Sequence, residues 1–199
     1  ESRGLTGKEN ILKNYERPEK EIKEVTQEET EEFLSYLEEN LDVNVLQVIK
    51  DYPDVEFYLF FPPYSICWWD QLNQNGTAVL ERRIELEKYA IEKMLQFDNI
   101  RLFSFFNNYE LICNLNYYVD DVHYTGDVNN LILQWMKSGE YELTKENYEA
   151  LREESKMVAL TLQKRRHFIP PMIMISCSRN SSEKQRVESL LVKKQGFVV

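Results

Sequence analysis

Asp120, Asp121 and His123 stand in the run Asp120-Asp121-Val122-His123-Tyr124, which carries the best pairing of chemistry-bearing side chains in the sequence. An aspartate three residues before a histidine can orient the imidazole and stabilise its charged form, so that the ring takes a proton from a hydroxyl nucleophile. On that reading His123 is a general base and Asp120 its orienting partner. Two other readings fit the same residues. His123 can cap the following helix or satisfy a local hydrogen bond, with Asp120 and Asp121 as turn formers. With Asp127 the run also sets four possible metal ligands within eight residues, but zinc ordinarily recruits a more defined histidine set, so no metal and no cofactor is assigned.

A nucleophile is harder to place. Ser65 follows an apolar run and Ser104 lies within another, yet neither has the flanking glycines of a sharp nucleophile turn. Ser65 reads as a turn residue and Ser104 as a core or sheet residue. Cys67 lacks neighbours that would lower its pKa. With Cys113 and Cys177 it reads as one of three buried thiols, because three widely spaced cysteines make neither a disulfide framework nor a CxxC metal site. Tyr64, Trp68 and Trp69 form an aromatic cluster suited to lining a substrate cleft, and equally to serving as core or lid. His167 ends the basic run Lys164-Arg165-Arg166-His167, where compensation of a helix dipole is the plain explanation.

These residues need elements to hold them. Residues 1–25 are polar and read as a connecting segment, with Tyr15-Glu16-Arg17-Pro18 breaking any early helix. Thr26 and Glu29 match a capping box, and Phe33, Leu34, Leu37 and Leu41 recur at helical spacing, which predicts a helix from Gln27 to Asn40. Val45, Val48, Ile49 and Tyr52 continue a helical pattern up to Pro53. The short aromatic and β-branched run Val55–Phe61, stopped by Pro62-Pro63, predicts a buried strand. A turn-rich loop through Asn73-Gln74-Asn75-Gly76 then leads to a long helix over Thr77–Gln96 and a second strand over Ile100–Phe106. A helix over Gly126–Met136 follows the Asp120–His123 loop.

Helix, strand, helix, strand, loop, helix is the grammar of a layered α/β domain with a parallel sheet. Ligands in such sheets collect beyond the carboxyl ends of the strands. The Pro62–Ser65 loop and the Asn107–His123 segment both leave those ends, so they should be neighbours. Beyond Ser138-Gly139, Thr144 predicts the start of a helix running to Gln163, and Met172–Ile175 predicts an edge strand. The organisation expected is a connector over 1–25, an α/β domain over 26–163 and a basic tail over 164–199.

Composition narrows the function. Among 199 residues, 43% hydrophobic content with 13% aromatic residues and only six glycines and six prolines describes a packed globular body. A net charge of −10 argues against nucleic acid as a partner, because phosphate binding needs a clustered positive surface. The exception is the last forty residues, which hold eight Lys and Arg against Glu183 and Glu188. No apolar stretch reaches the ~20 residues of a membrane helix. The opening Glu1-Ser2-Arg3 is neither a signal peptide nor a natural initiation, which suggests a piece of something longer.

Several blocks, taken in order, resemble the carboxyl-terminal half of bacterial SGNH/GDSL-like hydrolases. They are Gly7-Lys8-Glu9-Asn10-Ile11-Leu12-Lys13-Asn14-Tyr15-Glu16-Arg17-Pro18, Phe57–Ser65, Asp120–Tyr124, Trp135–Tyr141 and Leu143–Tyr148, and the match covers roughly residues 5–155. The resemblance implies a three-layer α/β/α flavodoxin-like fold with a parallel sheet, incomplete in this chain. It also implies an early serine nucleophile and a late Asp-x-x-His, onto which Asp120 and His123 fall. The Gly-Asp-Ser or Gly-x-Ser turn of such enzymes is absent, as is a Gly-x-Asn-Asp block. The expected activity is that of an esterase or acyltransferase acting on an O-acyl ester of a carbohydrate or cell-envelope polymer, with a membrane-anchored parent facing outside the cytoplasm. The rival expectation is a catalytically silent module that binds a glycan or a protein through Tyr64, Trp68 and Trp69.

Overall fold

A computed structural model describes residues 7–150 and Glu153, all within one compact unit of the chain. The segment expected to be a plain connector contains a helix, α1 (Lys8–Asn14), which ends at Tyr15 where the sequence predicts a break. Tertiary contacts hold this short helix. Ile11 is buried, the Gly7 N–H donates to the Tyr118 carbonyl at 2.9 Å, and the Lys8 N–H donates to Asn116 Oδ1 at 3.3 Å.

The helix predicted at Thr26 forms as α2 (Gln27–Leu41). Thr26 Oγ1 accepts from the Glu29 N–H at 3.1 Å and Glu29 Oε2 accepts from the Thr26 N–H at 3.0 Å, a complete capping box. Residues Asp42–Leu46 then form a π-helical turn that runs directly into α3 (Gln47–Asp51). Leu41 and Leu46 are five residues apart, out of phase on an α-helix. The wider turn brings both to the buried side with Ile49. Asn99 secures the far end, its Nδ2 within 3.2–3.3 Å of the carbonyls of Ile49, Tyr52 and Val55.

Strand β1 (Phe57–Phe61) is followed by α4 (Ile66–Gln74), α5 (Thr77–Met94) and β2 (Ile100–Ser104). Helix α4 corrects the expected turn-rich loop: only Asn75 and Gly76 remain as a connection, with Gly76 at φ 101 opening α5. After β2 come α6 (Tyr109–Cys113), a 3-10 turn over Leu115–Tyr117, α7 (Gly126–Ser138) and a short strand, β3 (Glu142–Leu143). The chain is mixed α/β. Its sheet has the order β1-β2-β3, with β1 parallel to β2 from Phe57↔Ile100 to Phe61↔Ser104.

The all-parallel sheet expected from the sequence is corrected by β3, which pairs antiparallel to β2 through Leu102↔Leu143. The turn that closes α7 explains this. Gly139 takes φ 79 and Tyr141 φ 63, and the Tyr141 carbonyl accepts from the Ser104 N–H at 3.1 Å. The chain is thereby delivered to the carboxyl end of β2, from which only an antiparallel run can follow that strand. Thr144, predicted to start a helix at once, first closes a turn with Asn147, and helix appears over 148–150. The rest of that helix, the Met172–Ile175 strand, His167, Cys177 and the basic tail lie outside the described residues.

Alternation along the strands sends neighbouring side chains to opposite faces. Leu102 and Ile100 join Leu41, Leu46, Ile49, Ala90, Ile91 and Met94, with Phe57, Leu59 and Phe61 packed against them. Phe103, on the other face, joins Phe105, Leu111, Val128, Ile132 and Met136. Strand β1 is only half buried, which corrects the expectation of a buried strand. Tyr58 and Phe60 remain 43% and 39% exposed because β1 is terminal in the sheet, and their rings only lean on Phe103 and Phe105. The Phe57 N–H and the Phe61 carbonyl bond toward the β2 side. The intervening peptide groups of Tyr58 and Phe60 therefore face outward, with no strand beside them among the described residues.

Candidate functional site

The two segments expected to meet at the carboxyl ends of the strands do meet. Tyr118, fully buried, donates its hydroxyl to the Pro63 carbonyl at 2.6 Å. The Asp121 carbonyl accepts from both the N–H (3.1 Å) and the hydroxyl (2.7 Å) of buried Ser65, and Asp121 Oδ2 accepts from Gln71 Nε2 at 3.0 Å. The Val119 N–H donates to the His123 carbonyl at 2.8 Å, and Tyr118 bridges to Tyr124. The 118–124 loop is thus a small closed ring of chain, pinned to the turn that follows β1.

The ring holds the predicted pair in contact. His123 Nδ1 lies 2.7 Å from Asp120 Oδ2. Asp120 Oδ1 accepts from the backbone N–H groups of Val122 (2.9 Å) and His123 (2.6 Å), so the carboxylate cannot swing away from the imidazole. Partial burial opposes ionisation of Asp120. The bonds from the His123 N–H and ring and from the Val122 N–H outweigh it, and hold the carboxyl below the ordinary aspartate value. With Nδ1 engaged, Nε2 has no hydrogen-bond partner among the described residues, and the His123 side chain is 75% exposed. An oriented imidazole with its outer nitrogen open is the geometry of a general base awaiting a proton donor. No side-chain bond caps α7 at Thr125, but the alternative of a local hydrogen bond with Asp120 as a turn former fits these same contacts.

Within the described residues no serine is poised to serve that base. Ser65 is the turn residue that the sequence suggested, with its hydroxyl committed to Asp121, and Ser104 is buried in β2. Burial pushes the Cys67 thiol up to about 12. No group of three or more His, Cys, Asp or Glu among the described residues is placed to hold a metal ion. Nor is any helix among them long and apolar enough to cross a membrane.

The aromatic cluster divides in two. Tyr64 and Trp68 are half-buried, with ring centroids 4.9 Å apart, and both touch Phe106. Trp69 is 1% exposed, packed edge-on against Trp68 and Phe106, and so has no open ring face for a ligand. It supports the cluster from below. Arg83 of α5 lies over the rings of Trp68 and Phe106 at 5.9 and 5.8 Å. Nothing in the spacing of α5 singled this arginine out.

Behind the cluster, α4 is anchored through Asp70. Arg17 grips this buried carboxylate with two bonds, at 2.8 and 2.7 Å, and the Tyr15 hydroxyl donates to it at 2.9 Å. Burial and the Asp70 charge push the Tyr15 phenol far above its ordinary value. A shallow groove lined by Tyr36, Glu39, Asn40, Val43 and Asn44 shares no residue with the His123 loop. No protein family, no curated protein and no solved structure matches the chain.

Proposed function

We propose that the chain supplies the His/Asp portion of an SGNH-like esterase or acyltransferase acting on an O-acyl ester of a carbohydrate or cell-envelope polymer. The observation that carries this reading is the His123–Asp120 pair, locked by two backbone N–H groups at the carboxyl ends of parallel strands with Nε2 open. Clusters of helix residues on both faces of the sheet support the finer reading, a three-layer flavodoxin-like domain in which further parallel strands complete the sheet. The reading places the parent protein on a membrane anchor, facing outside the cytoplasm.

In this mechanism His123 Nε2 accepts the proton of a serine hydroxyl from outside the described residues, while the oxygen attacks the acyl carbon. Asp120 keeps the Nδ1 proton in place and stabilises the imidazolium. Backbone N–H groups brought with the serine stabilise the tetrahedral oxyanion. His123 then returns the proton to the departing alkoxide, leaving an acyl-serine, which water or an acceptor hydroxyl cleaves by the same proton path. In the rival reading, Tyr64 and Trp68 bind a glycan or protein without turnover.

The deciding experiment expresses the full open reading frame that contains this chain and measures aryl acetate hydrolysis. His123→Ala should lower kcat by roughly 10²–10⁴-fold. Turnover that is unchanged in His123→Ala, or absent from a parent that does carry a Gly-x-Ser turn, would sink the enzymatic reading.

A further inference from the structure

We infer that Arg83, with Trp68 and Tyr64, forms a subsite for an oxyanion carried on a carbohydrate ring, so that the ligand at this site is an acidic sugar derivative. This rests on the carbohydrate reading above for the nature of the ring. The anion follows from Arg83 itself. Its guanidinium lies over two aromatic faces, and its Nε is enclosed with no hydrogen-bond partner among the described residues. Arg83 takes part in none of the ion pairs there, unlike Arg17, which holds Asp70, and Arg101, which holds Glu142. Glu87, one turn further along α5, feels the Arg83 charge but forms no ion pair with it. A buried donor left unmade is costly, and such a group in a native fold calls for a partner.

Position supplies the rest. Trp68 touches Tyr64, and the next residue, Ser65, donates its hydroxyl to the Asp121 carbonyl of the His123 loop at 2.7 Å. Arg83 therefore belongs to the same carboxyl-end surface as the His123 loop, across the aromatic cluster. A planar, always-charged guanidinium fits a carboxylate or phosphate with two parallel bonds, while half-exposed Tyr64 and Trp68 offer rings to the apolar face of a sugar.

The test reads binding by the 199-residue chain and not turnover, so its failure and the failure of the esterase reading are separable. Tryptophan fluorescence is titrated with glucuronate, glucose 6-phosphate and glucose. A saturable change with the two acidic sugars, at least about tenfold weaker with glucose and in Arg83→Gln, is the expected result. Arg83→Lys, which keeps the charge and loses the fork, should fall between wild type and Arg83→Gln. Equal affinity for glucose and glucuronate in the wild-type protein overturns the inference, and that comparison needs no variant to fold. So does an Arg83→Gln protein of unchanged melting temperature that binds glucuronate as well as wild type.

Discussion

Glu87 is a carboxyl whose charge the fold opposes, and replacing it should stabilise the protein in a pH-dependent way. It occupies the core side of α5 in register with Leu80, Ile84, Ala90, Ile91 and Met94, and is 9% exposed. Burial pushes its carboxyl up to about 7, with the Arg83 charge pulling partly the other way. A carboxyl raised on folding contributes stability that is full below its unfolded value and is lost as pH rises through the folded one. Between pH 5.5 and 8.5 the loss from this group integrates to about 2 kcal/mol at 1.36 kcal/mol per unit. Glu87→Gln keeps the shape and removes the titration. In urea, with a slope of roughly 2 kcal/mol/M for a domain of this size, its midpoint should exceed that of wild type by about 1 M more at pH 8.5 than at pH 5.5. Parallel wild-type and variant curves across that range, or a variant less stable at pH 8.5, would refute the argument that burial sets the charge state of Glu87.

Two further outcomes follow from the contacts around the loop. Asp70→Asn removes the charge that Arg17 and Tyr15 converge on and should cost about 1.5 kcal/mol, read as a lowered thermal midpoint; a loss below about 0.5 kcal/mol would mean that solvent screens the pair. Ser65→Ala deletes the 2.7 Å bond to the Asp121 carbonyl and should cost about 1 kcal/mol, with faster amide hydrogen exchange at Val122 and His123. Unchanged exchange there would show that Gln71 and Tyr118 pin the loop without it.

What the sequence made legible was what local chemistry decides. Thr26 and Glu29 announce α2 because both halves of a capping box lie within one turn, and the Phe57–Phe61 and Ile100–Ser104 runs announce strands by composition. The 2.7 Å His123–Asp120 contact was equally legible, since three residues of spacing suffice to close it. The losses came where distant residues decide. Helix α1 has a single buried side chain, Ile11, and exists through bonds to residues about a hundred positions away. The first turn of helix α4, Ile66-Cys67-Trp68-Trp69, is apolar all round and so shows no 3.6-residue period, and its anchor, Arg17–Asp70, spans 53 positions. Strand β3 is two residues long, too short to have a pattern, and is specified by the reversal through Gly139 and Tyr141. Arg83 was hidden for the same reason, because its rings belong to α4 and to the residues after β2.

The outward edge of β1 has a consequence for how the molecule behaves in bulk solution. Its five residues include no lysine or proline to discourage a neighbour, two of its peptide groups have no strand beside them among the described residues, and the rings of Tyr58 and Phe60 are over a third exposed. What keeps such edges from finding one another is long-range repulsion, which a net charge of −10 provides at neutral pH. Near the isoelectric point of about 4.9 that repulsion vanishes while the edge remains. Where no further strand covers that edge, acidification should therefore favour edge-to-edge association of copies of this chain.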